Sequence, residues 1–98
     1  MSNTLTDIEK FKIIQQTAFE LFNSKNADYG NAYKECGKVG LIVRMKDKIN
    51  RYINISENGI HIINNEKLED TILDLMNYCC LLLMLINDDK NKKVINFD

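Results

Sequence analysis

Glu66, Asp70, Asp74 and Asn77 stand four, four and three residues apart, a spacing that puts four polar side chains on one face of a helix. Three of them are carboxylates, hard oxygen donors that can hold Mg2+ or Mn2+ and leave coordination positions for water and phosphate oxygens. Continued C-terminally, the same face reaches Leu81 and Met84 within the apolar run from Cys79 to Ile86. The acids are therefore expected to line an interior cleft. Isolated ionised groups there cost several kcal/mol unless a metal ion or basic side chains pair with them. Asp74, two turns inside the segment and flanked by Leu73 and Leu75, is the hardest to explain as a helix-start charge. Glu66 and Glu69 can equally serve the helix macrodipole.

Two further groups of residues could share that chemistry. Arg44, Asp47, Lys48 and Arg51 form a mixed-charge surface on a second helical segment. Its cations can meet phosphates or the acids of the third segment, and Asp47 can complete a metal site supplied by two helices. Such charges are more often a solvated face laced with ion pairs. In Lys25, Asn26, Ala27, Asp28, Tyr29, Gly30 and Asn31, Lys25 offers a phosphate contact and Asp28 a ligand or hydroxyl acceptor. Tyr29 offers a flat surface for a base, and Gly30 permits a turn. A plain turn explains the same residues. His61 has no Cys or His at ligand spacing and reads as incidental. Phosphate loops of the GxxxxGK[ST] type, nucleophile triads and zinc-finger spacings are absent.

Three helices must position these groups. Thr6 followed by Glu9 has capping-box spacing, so the first helix should start near Asp7. Ile8, Phe11, Ile14, Ala18 and Leu21 or Phe22 then give one apolar face as far as about Asn23. From Ser24 to Gly37 two glycines and several Asn and Asp residues favour turns, with a short helical turn around Ala32 to Glu35. The second helix is expected over about Val39 to Ile55, with Leu41, Met45, Ile49, Tyr52 and Ile53 on one face and Arg44, Lys48 and Arg51 on another. Ser56 to Asn65 reads as a hairpin-like excursion or loop. The third helix begins with Asn64 or Asn65 as cap and ends near Asn87. Because it is apolar all round in its second half, it needs covering all round, which favours a bundle completed by further copies of the chain.

Composition bounds the rest. Ninety-eight residues suit a single domain over 1–98 with a polar tail at 89–98, and burial at this size is modest, another reason to expect a homo-oligomer, a dimer or higher. A net charge of −1 provides no global basic field, so a nucleic-acid partner is disfavoured. Three cysteines form no even framework and read as reduced thiols. No signal-peptide pattern or membrane-length apolar run is present, and a cytoplasmic chain with no membrane partner is expected.

Taken together, KNADYGNAY at 25–33, RMKDKINR at 44–51 and EKLEDTILDLMNYCCLLL at 66–83 resemble the nucleotide modification associated domain 1 family, small proteins common in phages and prophages. That family in turn looks like a branch of the MazG-like all-α nucleoside triphosphate pyrophosphohydrolases. The resemblance implies an all-α fold of three main helices in a MazG-like bundle, with acids of two helices holding Mg2+ against a nucleotide's phosphates. The broader group carries an ExxE pair and then an ExxD pair; here Asp47 with Asn50 and Asp70 with Asp74 answer, one carboxylate fewer and one spacing longer. By resemblance Asp47, Asp70 and Asp74 would be catalytic, holding Mg2+ and its water together with Glu66. Lys25, Arg44, Lys48 and Arg51 would offset phosphate charge, and Asp28, Tyr29 and Asn77 would complete the ligand site.

Three functions fit. A Mg2+-dependent pyrophosphohydrolase would split (deoxy)nucleoside triphosphates into monophosphate and pyrophosphate. A non-catalytic protein would bind and sequester a nucleotide or nucleotide-derived signal, for example as a phage anti-defence protein. A structural assembly module would use the polar stripe only to set register between subunits.

Overall fold

The computed structural model describes the backbone of residues 4–29, 32–58 and 66–90, and the side chains of 4–25, 32–57 and 68–90. Among the described residues there are three helices and no strand: α1 (Asp7–Tyr29), α2 (Ala32–Asn58) and α3 (Glu66–Asp89). The all-α expectation holds. No helix among them is long and apolar enough to cross a membrane.

The start of α1 is the capping box the sequence predicts. The Glu9 N–H donates to Thr6 Oγ1 at 3.1 Å, and the Thr6 N–H donates to Glu9 Oε1 at 2.8 Å. Each satisfies a backbone donor that the first helical turn leaves orphaned. The helix then continues six residues beyond Asn23, through a stretch rich in Asn, Ser and Asp that local propensity assigns to turns. Tertiary contact overrides propensity here: Lys25, on the added turn, is held by Asp74 of α3.

α2 is two helical pieces joined at Gly37, whose φ of 74° and ψ of 175° lie in a region open essentially to glycine. The expected turn around Ala32 to Glu35 is the first piece. The second runs three residues past Ile55 to Asn58. α3 lies within two residues of its expected bounds. Of the expected excursion over 56–65, residues 56–58 belong to α2, while 59–65, including His61, lie outside the described residues, as does 91–98 of the polar tail.

α3 is the common wall, antiparallel to both other helices. Lys25 and Ala18 of α1 meet Asp74 and Asn77, while Lys48 and Lys38 of α2 meet Asp74 and Asp89. The Lys38–Asp89 pair, at 2.6 Å, is exposed and contributes under about 1 kcal/mol. Among the described residues the buried apolar side chains are few: Ala18, Leu41 and Leu81. Thr71 and Asn87 are buried polar residues on α3. Large apolar side chains remain exposed on every helix, notably Ile8 (75%) and Phe11 (64%) on α1 and Val39 (75%) on α2. Met84, expected to be covered, is exposed, whereas Leu81 is buried.

The capping box generates a test with a defined pH sign. The Thr6 N–H, followed by its hydroxyl, holds the Glu9 carboxylate below the ordinary range. A depressed carboxylate contributes stability above its unfolded value and loses it as pH falls through the folded one. Thr6→Ala should lower stability by about 1 kcal/mol in chemical denaturation. Glu9→Gln should melt earlier than the parent at neutral pH, and that gap should narrow as pH falls through and below the ordinary carboxylate range.

Candidate functional site

The inner face of α3 is rotated from the expected stripe. It runs through Thr71, Asp74, Tyr78 and Leu81, at spacings of three, four and three, with Asn77 beside it. Asp70 falls on the flank of that face and is exposed. The backbone of Glu66 opens α3, and its side chain lies outside the described residues.

Asp74 is the point where the three helices meet. Its side chain is 14% exposed, Oδ1 accepts from Lys25 Nζ at 2.9 Å, and Oδ2 pairs with Lys48 Nζ at 3.0 Å. One carboxylate thus takes a cation from α1 on one oxygen and a cation from α2 on the other. Charge-assisted bonds of this length offset the desolvation of a largely covered carboxylate. One turn further along α3, Asn77 Nδ2 donates to the Ala18 carbonyl of α1 at 2.9 Å.

A cleft of about 380 Å³ opens above this cluster, lined by all three helices. Lys25, Lys48 and Asp74 lie at one part of its wall, with Arg44 also in the lining. Phe22, Tyr33 and Tyr78 supply aromatic surface, while Leu41, 1% exposed, and Leu81 join the lining to the core. The Arg44 guanidinium sits beside Cys36 and Tyr78, whose sulfur first and phenol second raise its pKa above the ordinary arginine value. Gly40 makes room for that arrangement, since a Cβ there would stand 2.5 Å from Cys36 Sγ. Among the described residues the lining carries three cations and one carboxylate, in a chain whose net charge is −1.

The expected site is therefore assembled in part. Lys25, Arg44, Lys48, Asp74 and Asn77 are brought into one cleft. Asp47 and Arg51 are exposed and are not among its lining residues, and the side chains of Asp28 and Tyr29 lie outside the described residues. Among the described residues, no three His, Cys, Asp or Glu side chains converge as metal ligands. Asp47, Asp70 and Asp74 form no such group among the described residues, both Asp74 oxygens are paired with lysines, and the side chain of Glu66, the fourth expected ligand, lies outside the described residues. Phe22, Tyr33, Cys36 and Tyr78 were missed by sequence reasoning. Tyr78 was within reach of it, being four residues beyond Asp74, and Phe22 is three before Lys25. Tyr33 and Cys36 carried no such signal, because their placement depends on the bend at Gly37.

The geometry defines an all-helical chain with a cation-rich, aromatic-walled cleft between three helices. A family model described as nucleotide modification associated domain 1 matches residues 25–86, close to two thirds of the chain, and the chain belongs to that family. The matched span holds every charged residue of the cleft lining and Asn77. Searches of curated proteins and of solved structures find no match.

The lysine pair reverses what removing the Asp74 charge should do. For a stripe that only sets register, Asp74→Asn would relieve a desolvation cost and leave the fold intact or more stable. With two ammonium groups gathered on that carboxylate, Asp74→Ala should instead cost about 1–3 kcal/mol, measured by denaturant unfolding. Adding Lys48→Met to that variant should recover part of the loss. A double variant less stable than Asp74→Ala by the full cost of Lys48→Met alone would show that the three groups are not coupled.

Proposed function

We propose that this chain binds the phosphates of a nucleotide in the three-helix cleft, with Lys25, Lys48 and Arg44 as the cations and the aromatic walls receiving the rest of the molecule. The observation that carries this reading is a local inversion of charge: among the described residues, three cations share the lining of a cleft of about 380 Å³ with one carboxylate, although the chain as a whole is anionic. A partly exposed cation pair next to apolar and aromatic surface suits a ligand that is anionic at one end and flat at the other. Family membership gives the same direction, since the family is described by association with nucleotide modification.

In this reading Asp74 gathers the ammonium groups and neutralises part of their charge before a ligand arrives. A phosphate oxygen then competes with the carboxylate for the same donors. Binding without turnover, as a protein that holds or sequesters a nucleotide, is the version that the engaged state of Asp74 favours. A pyrophosphohydrolase would add attack of water at a phosphoanhydride, giving a nucleoside monophosphate and pyrophosphate.

One experiment separates these. The purified chain is titrated with a panel of nucleoside triphosphates, with and without Mg2+, and scored for thermal shift and for pyrophosphate release. Stabilisation that survives without Mg2+ and weakens about tenfold or more in Lys48→Ala is the expected outcome. Pyrophosphate release that is lost in Asp74→Ala would establish the hydrolase instead. A panel that shifts neither readout would end the nucleotide reading.

We also propose a second copy of the chain as partner. The face of α1 that meets α3 at Ala18 continues N-terminally through Ile14 and Phe11, which are exposed, and Val39, Ile42 and Ile49 are exposed on α2. So much apolar surface beside so small a buried core is the pattern of a subunit. Analytical ultracentrifugation should find at least twice the 11.4 kDa of one chain. Phe11→Ser combined with Ile14→Ser should lower that mass, and a parent that sediments as a monomer at about 50 μM would refute the assembly.

A further inference from the structure

Asn77 is held in an unusual way for a residue that lines a cleft. Its Nδ2 donates to the carbonyl of Ala18, a buried residue of α1, at 2.9 Å. That bond ties down the side-chain amide and assigns its nitrogen to α1. The acceptor Oδ1 takes part in no hydrogen bond among the described residues, and it is the acceptor that Asn77 can offer the cleft beside the second N–H of its amide.

Its neighbours say what kind of group would come to it. Asn77 is followed at once by Tyr78, whose ring is in the lining, and Phe22 faces the same space from α1. One helical turn back is Asp74 with its two lysines. An anchored acceptor, aromatic surface beside it and cations one turn away suit a flat ring that bears N–H groups and is joined to phosphate.

We propose that Asn77 is the base-reading residue of the cleft: its Oδ1 accepts a hydrogen bond from a ring N–H or exocyclic amino group of a nucleobase seated against Tyr78 and Phe22. This rests on the nucleotide reading and adds to it. The ligand is then selected as a nucleotide, and not as a polyphosphate that the cations alone would hold. The tether to Ala18 matters because a preorganised acceptor loses little side-chain freedom on binding, and because leaving it unmet by a ligand without donors is unfavourable.

The test is calorimetric titration of the full chain with the four deoxynucleoside triphosphates and with inorganic triphosphate. At least one nucleotide should bind about tenfold tighter than inorganic triphosphate. In Asn77→Ala that nucleotide should fall to the level of inorganic triphosphate, whose own affinity should stay within about twofold. A readout on the unaltered protein guards against a variant that fails to fold: methylating the N–H donors of the preferred base should cost about tenfold in affinity. Inorganic triphosphate binding as tightly as every nucleotide would overturn the assignment of Asn77 and leave the phosphate cradle standing. An equal loss of both ligands in a folded Asn77→Ala would also overturn it, by showing that the residue serves only to hold α1. If neither the nucleotides nor inorganic triphosphate bind, the nucleotide reading itself fails.

Discussion

A single carboxylate shared between two ammonium groups organises this chain. Asp74 lies on α3, its cations come from α1 and α2, and the three side chains meet within hydrogen-bond distance. A carboxylate so largely covered is unfavourable alone, and two lysines brought close together are unfavourable without it. Each helix therefore supplies what another requires, and the relative placement of all three follows from satisfying those charges at once. The extension of α1 to Tyr29 belongs to the same constraint, because Lys25 sits on the part of the helix that local sequence would leave as a turn.

The same interaction shapes the cleft. Because α3 stands antiparallel to both partners and presents Asp74, Asn77 and Tyr78 between them, polar and aromatic groups are exposed to one shared space. Leu41 and Leu81 belong both to that lining and to the small buried core. The bend at Gly37 adds Tyr33 and Cys36, and Cys36 with Tyr78 flanks the Arg44 guanidinium. Among the described residues of the lining, Lys25, Arg44 and Lys48 accompany the one carboxylate of Asp74.

A thin core and a broad apolar exterior are the other side of this economy. Three buried apolar residues among those described leave much of the apolar patterning of α1 and α2 facing outward. Periodicity puts Ile8, Phe11, Ile14 and Ile49 on apolar faces, and all four are exposed. Those faces do not all turn toward α3, since a helix in contact with one neighbour covers only one stripe.

The sequence alone determined that the chain is helical, where α1 begins and the bounds of α3 to within two residues, and it singled out Lys25, Arg44, Lys48, Asp74 and Asn77, which the structure gathers in one cleft. These are local matters: a capping box acts across three residues, and helical spacing puts side chains on a common face. Tertiary structure decided which part of each face turns inward. It set Asp70 and Asp47 outward, engaged both oxygens of Asp74 with lysines in place of a cluster of acids, and drew Phe22, Tyr33 and Tyr78 into the wall. The physical reason is that periodicity defines a stripe only to within a residue or so of rotation. Which carboxylate is covered, and by what it is neutralised, depends on contacts from Lys25, forty-nine residues before Asp74, that no local pattern encodes.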